Sequence, residues 1–115
     1  MPSTTPYEKW DVVLVSFPFS DFTAAKRRPV VVISPTDFNT ANDPTILFVT
    51  SRVDSARRPG DYELLEWRKA GFPKPSLVRM KFATVHRTVI IKKFGNLAAE
   101  DRNAIEQNLL EFFTS

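Results

Sequence analysis

Short apolar runs broken by turn residues fill the chain as far as Ile91, and a helical periodicity takes over at its end. The run Asp11 to Phe17 is rich in valine and stops at Pro18, which has no N–H to give a ladder. Pro29 opens a second run, Val30 to Ser34, and Pro35 closes it. These two strands are expected to be neighbours across the loop Ser20 to Lys26. A turn-rich link from Ser34 to Pro44, with room for one helical turn, leads to the strand Ile46-Leu47-Phe48-Val49, ending in Thr50-Ser51-Arg52. A loop is expected from Asp54 to Gly60 and a strand at Tyr62 to Leu65. Another loop follows with Gly71, Pro73 and Pro75, then strands at Leu77 to Met80 and Thr88 to Ile91. The connections are too short for helical crossovers, so the sheet should be mostly antiparallel. Ile105, Leu109, Phe112 and Phe113 stand at i, i+4, i+7 and i+8, the apolar stripe of one closing helix packed on that sheet. Phe17, Phe48 and Phe94 also lie on or beside apolar runs and read as core.

Six or so short strands and one helix describe a small mainly β barrel better than a two-sheet sandwich. The 115 residues suit one domain, 1–115, with a single core. Hydrophobic residues at 43% and charged residues at 25% are ordinary for a globular protein. Sixteen Lys and Arg against thirteen Asp and Glu give a formal charge of +3, which favours anionic partners without requiring them. The absence of cysteine removes disulfides and thiolate zinc sites, and a single histidine, His86, cannot build a His-rich metal site. No apolar run approaches the roughly 20 residues of a membrane span, and the start Met1 to Pro6 lacks the charge and apolar run of a secretory leader. The expectation is a cytoplasmic protein without a membrane partner.

The candidate chemistry is basic. Lys26-Arg27-Arg28-Pro29 places guanidiniums at the mouth of a strand, a fork suited to phosphate. Lys92 and Lys93 read instead as guards of an exposed strand edge, and His86 reads as structural. Phe22, in the loop before Arg28, is a candidate for stacking on a base, although insertion into the core is its commoner use.

The order Asp11-Val12-Val13-Leu14-Val15, Phe17-Pro18-Phe19-Ser20-Asp21, Lys26-Arg27-Arg28-Pro29, Val49-Thr50-Ser51, Pro73-Lys74-Pro75-Ser76-Leu77-Val78-Arg79 and Ala83-Thr84 closely resembles the MazF/PemK family of toxins from toxin–antitoxin pairs. That resemblance implies an SH3-like barrel with a C-terminal helix that pairs into a homodimer and cuts single-stranded RNA with no metal or other cofactor. It implies a catalytic pair at Arg28 and Thr50, with Ser51, Arg79, Lys81 and Asp21 as further candidates in the site. Lys26, Arg27, Arg52 and Phe22 are the expected RNA contacts. It also implies an antitoxin whose acidic, disordered tail covers the site, with DNA reached only through that antitoxin.

Three positions depart from the family pattern. Trp10 stands where a Gly usually precedes the first strand, so the backbone there is expected to suit a residue with a Cβ. Lys81 replaces an Asp that one branch of the family uses, and the loop before Arg28 lacks another branch's Glu, leaving Asp21 as its only carboxylate. The general base is therefore open between Asp21 and a water held by Thr50. Two other classes stay in view: a nucleic-acid-binding module that cuts nothing, and a protein-binding toxin like the gyrase poisons of the CcdB type, which share the fold.

Overall fold

The computed structural model describes residues 7–17 and 26–115. Its sheet has six strands: β1 (Asp11–Phe17), β2 (Lys26–Val32), β3 (Thr45–Thr50), β4 (Tyr62–Glu63), β5 (Leu77–Thr84) and β6 (Ile90–Asn96). Their order is β4-β5-β3-β2-β1-β6, and every pairing is antiparallel. The helices are α1 (Thr36–Ala41), α2 (Trp67–Ala70) and the closing α3 (Ala99–Thr114). The mainly β architecture with a terminal helix is as expected, but among the described residues β4 and β6 remain as edges, so the barrel is open. No helix among the described residues is long and apolar enough to cross a membrane.

Both faces of the central strands are covered, which explains why β1 to β3 read as continuous apolar runs rather than alternating ones. One face packs Val12, Val31, Leu47, Val49 and Val78 with Ile105 of α3. The other gathers Val13, Val15, Val30, Val32 and Ile46 with Val85 and Ile90. Phe48 and Phe17 pack at the border of this second cluster and Phe94 beside the first, each only half-buried. The helical stripe is buried at Ile105 and partly at Leu109. It does not continue: Phe112 and Phe113 are 42% and 67% exposed, packing on each other and on Phe82 at the end of α3.

Several boundaries differ from the sequence expectation, among them the end of β5, which runs to Thr84 rather than Met80. The second strand begins at Lys26, because Lys26, Arg27 and Arg28 pair with Phe17, Ser16 and Val15. Tyr62–Glu63 is a two-residue strand, and Trp67–Ala70 forms a helical turn inside the expected loop, ended by Gly71 at φ 97. The last strand starts at Ile90 rather than Thr88, since Arg87–Val89 is a 3₁₀ turn capped by His86, whose ring accepts the Thr88 N–H. That cap gives the lone histidine a structural role. β6 is an edge strand carrying Lys92 and Lys93, as expected of edge protection. Lys93 additionally lies 3.2 Å from the buried Asp11, whose other oxygen accepts the Glu8 N–H.

Trp10 contradicts the expectation that its backbone suits a Cβ: its φ is 76, in the left-handed region. Its N–H donates to Val32 and its carbonyl accepts from Leu97, while its side chain is 6% exposed in the core. Packing and two backbone bonds hold a conformation that is unfavourable by about 1–2 kcal/mol for an L-residue. Trp10→Ala should therefore destabilise by about 3–5 kcal/mol, from lost packing. Trp10→Gly should be about 1 kcal/mol less damaging than Trp10→Ala, reversing the usual order of the two residues. Urea unfolding of both variants measures this, and an alanine variant as stable as the glycine one would rule out backbone strain at this position.

Candidate nucleic-acid interface

β2 is built asymmetrically. Along β1 it is paired from Lys26 to Val31, whereas along β3 its ladder holds only Val31–Leu47 and Val32–Ile46. Strand alternation accounts for this. The Trp10 N–H reaches the Val32 carbonyl, so the backbone groups of Val32, Val30 and Arg28 face β1, and those of Val31 and Pro29 face β3. Pro29 thus lacks a donor on the β3 side, where the ladder ends, and leaves the β1 side intact. Arg28 stands at the resulting cleft, on the strand itself and not on a loop leading to it.

Alternation also places Arg28 on the same sheet face as Val30, and Phe48 and Thr50 on the same face as Ile46. Between Leu47–Phe82 and Val49–Val78 the register shifts: Phe48 of β3 stands opposite Arg79, Met80 and Lys81 of β5. A bulge of this kind bends a strand and re-aims its side chains. Here Arg79 and Lys81 join Arg28, Phe48 and Thr50 around a cavity of about 440 Å³, completed by Val49, Arg52, Ser55 and Arg58. Five cations and two hydroxyls line it, and no carboxylate does so among the described residues.

The side chains are held to different degrees. Thr50 is half-buried, and its Oγ1 accepts the Arg52 N–H at 3.1 Å, which leaves the hydroxyl proton to donate elsewhere. Lys81 Nζ lies 4.8 Å from the centre of the Phe48 ring, which stacks on Phe17 at 5.2 Å. The side chain of Arg79, a further site candidate from the family resemblance, is only 13% exposed. Its guanidinium donates to Ser55 Oγ at 2.6 Å and to the Ala56 carbonyl at 3.3 Å, tying down the loop that follows β3. Arg58-Pro59-Gly60-Asp61 closes that loop in a turn with Gly60 at φ 88, where a Cβ would run into Met80. Asp61, 2% exposed on its side chain, accepts the Arg58 N–H and lies 3.8 Å from Arg79.

Arg28, Thr50, Arg52, Arg79 and Lys81 thus meet in one cavity. Arg27 and Ser51 line a second cavity across Arg28, with Pro29, Val49, Pro73, Lys74 and Ser76. Lys26 is exposed at the start of β2 and lines neither. Asp21 and Phe22 lie outside the described residues. Sequence reasoning missed Phe48 and Lys74 as lining residues, and Asp61 behind Arg79. Phe48 was findable, since it stands two residues before Thr50 on one strand. Asp61 carried only a turn signal.

Residues 8–113 match the family of PemK-like, MazF-like toxins of type II toxin–antitoxin systems. No match is found among curated protein sequences. Among solved structures, MazF from Deinococcus radiodurans superposes with a TM-score of 0.72 at 18% identity, covering 96% of this chain and 98% of that one. The Mycobacterium tuberculosis toxin MazF-mt6 gives 0.71 at 17% identity, with 90% and 95% covered. An endoribonuclease from a Mycobacterial species, solved in complex with its cognate antitoxin, gives 0.68 at 14% identity, with 94% and 93% covered. At these identities the superpositions speak for the fold, and it is the family match over nearly the whole sequence that decides membership. The chain belongs to the PemK-like, MazF-like toxins of type II toxin–antitoxin systems.

Proposed function

We propose that this protein is an endoribonuclease toxin that cuts single-stranded RNA without a metal ion, using the RNA's own 2′-OH as nucleophile. The observation that carries the reading is the meeting of Arg28 and Thr50 at one strongly basic cavity. The 2′-oxygen forms a bond to phosphorus while the bond from phosphorus to the 5′-oxygen breaks, giving a 2′,3′-cyclic phosphate and a 5′-hydroxyl. The protein has to align these atoms, neutralise the charge gathering on the phosphoryl oxygens, and move one proton off the 2′-OH and one onto the leaving oxygen. Arg28 supplies two parallel donors to the phosphoryl oxygens, and the free Thr50 proton supplies a third. Arg79, already held by Ser55 and Ala56, contributes fixed positive charge. The proton acceptor is Asp21 or a water on Thr50, and its conjugate acid or solvent water returns a proton to the leaving 5′-oxygen.

The active form in this reading is a homodimer, restrained by an antitoxin with an acidic tail that competes for the same basic cavity. A structural neighbour solved with its cognate antitoxin supports such a partnership. One observation favours a second reading, a module that binds RNA without cutting: no carboxylate among the described residues lines the cavity. Incubating the purified protein with single-stranded RNA separates the two. Cleavage supports the endoribonuclease, and binding without cleavage supports the module.

A further inference from the structure

Arg28 and Val49 are shared by two cavities, the large one bearing Thr50 and a second of about 210 Å³ on the far side of Arg28. This second cavity opens where the β2–β3 ladder stops, and its wall brings Arg27 and Lys74 together with the hydroxyls of Ser51 and Ser76. Lys74 comes from the Pro73-Lys74-Pro75 link, whose backbone is fixed at this point. Ser76, 3% exposed, donates its Oγ–H to the Lys74 carbonyl at 2.8 Å, and the Leu64 N–H donates to the Ser76 carbonyl. Two proline rings further restrict the link. Lys74 itself is exposed, so its ammonium is presented on a stiff base.

Resting on the proposed reading of the first cavity, we infer that the second is a subsite for the neighbouring phosphate of the same RNA strand, with Lys74 and Arg27 as its cations. Because Arg28 and Val49 line both cavities, the two basic sites are adjacent, which favours successive anions of one chain over an isolated one. Arg28 would hold one phosphodiester, and the next along the strand would fall between Lys74 and Arg27, with Ser51 as a hydroxyl donor. Such a contact is indifferent to base identity and fixes the register of the strand over Thr50.

The test is the salt dependence of binding to a 2′-O-methyl octauridylate, which has phosphates but no nucleophile. Each phosphate contact on a single strand adds about 0.7 to the slope of log affinity against log salt. Lys74→Gln should lower that slope by about 0.7 and weaken binding roughly two- to fivefold at low salt. Lys92→Gln, on the β6 edge, should leave the slope unchanged. A Lys74→Gln slope equal to that of the unmodified protein overturns the subsite while leaving RNA binding at the first cavity intact. Failure of the unmodified protein to bind the oligonucleotide at any salt overturns both readings. Binding of oligoglutamate in a Lys74-dependent manner, with no binding of the oligonucleotide, assigns the cavity to an acidic peptide and also overturns the subsite.

Discussion

Arg28→Ala should lower the single-turnover rate of RNA cleavage by about 10²–10³-fold, the usual effect of removing one donor aimed at developing negative charge. Stability should hardly change, because Arg28 is exposed and its backbone groups, not its side chain, make the β1 pairing. Arg28→Lys should recover little of the rate, since an ammonium offers one point of contact where the guanidinium offers a planar fork. Thr50→Val keeps the shape of the side chain and removes both the free proton and the acceptor for the Arg52 N–H. Its rate should fall less than that of Arg28→Ala, and Thr50→Ser should recover most of it. Quenched-flow cleavage alongside thermal unfolding separates these effects. A folded Arg28→Ala protein that cuts at the original rate would remove Arg28 from the chemistry.

Asp101→Ala should be among the most destabilising single changes in the chain, at about 3–5 kcal/mol. Its carboxylate is fully buried and accepts three hydrogen bonds, from Tyr62 Oη at 2.6 Å and from the Leu65 and Glu66 N–H groups at 3.0 Å each. It sits in the first turn of α3, where negative charge also suits the helix dipole. Asp101 thereby bolts the closing helix to the segment between β4 and α2, and its loss strands three donors at once. Urea unfolding of Asp101→Ala against Asp101→Asn checks this, with the asparagine expected to recover part of the loss because it keeps one acceptor oxygen.

The same contact has a signature in pH. Burial, and next the hydrogen bond to Asp101, raise the Tyr62 phenol well above its ordinary value. A phenol whose folded pKa is raised contributes stability that is fully present below the unfolded value near 10. That contribution is lost as the pH rises beyond it. Tyr62→Phe should be less stable at neutral pH and should show a shallower loss of stability above pH about 10. Parallel alkaline losses in the two proteins would contradict the assignment.

How much of this was legible in the sequence depended on the range of the interaction involved. Valine-rich runs betrayed β1 and the core half of β2, because β-branched residues bounded by proline leave few alternatives. Lys26 to Arg28 read as a loop end because they are charged and precede a proline, yet their ladder lies on the β1 side, which Pro29 does not interrupt. The start of β6 was misplaced for the opposite reason. Thr88 and Val89 have strand propensity but are turned into a 3₁₀ segment by the His86 cap, and the strand continues through Lys92, Lys93 and Gly95, where no alternation announces it. Trp10 was misjudged because a left-handed backbone on a large residue is maintained by core packing and by bonds to Val32 and Leu97, partners far away in sequence. In the site, Arg28 and Thr50 were singled out through the family pattern, and both line one cavity. Lys74 and Asp61 come from turns and links whose local sequence says where the chain bends, not what it bends towards.

The most direct measurement is analysis of the RNA ends left after incubation with the purified protein in excess chelator. The account predicts fragments ending in a 2′,3′-cyclic phosphate with a 5′-hydroxyl on the downstream piece, and none from RNA carrying a 2′-O-methyl group at the cleavage position. Cleavage that stops on chelation, or that leaves a 5′-phosphate, would contradict it.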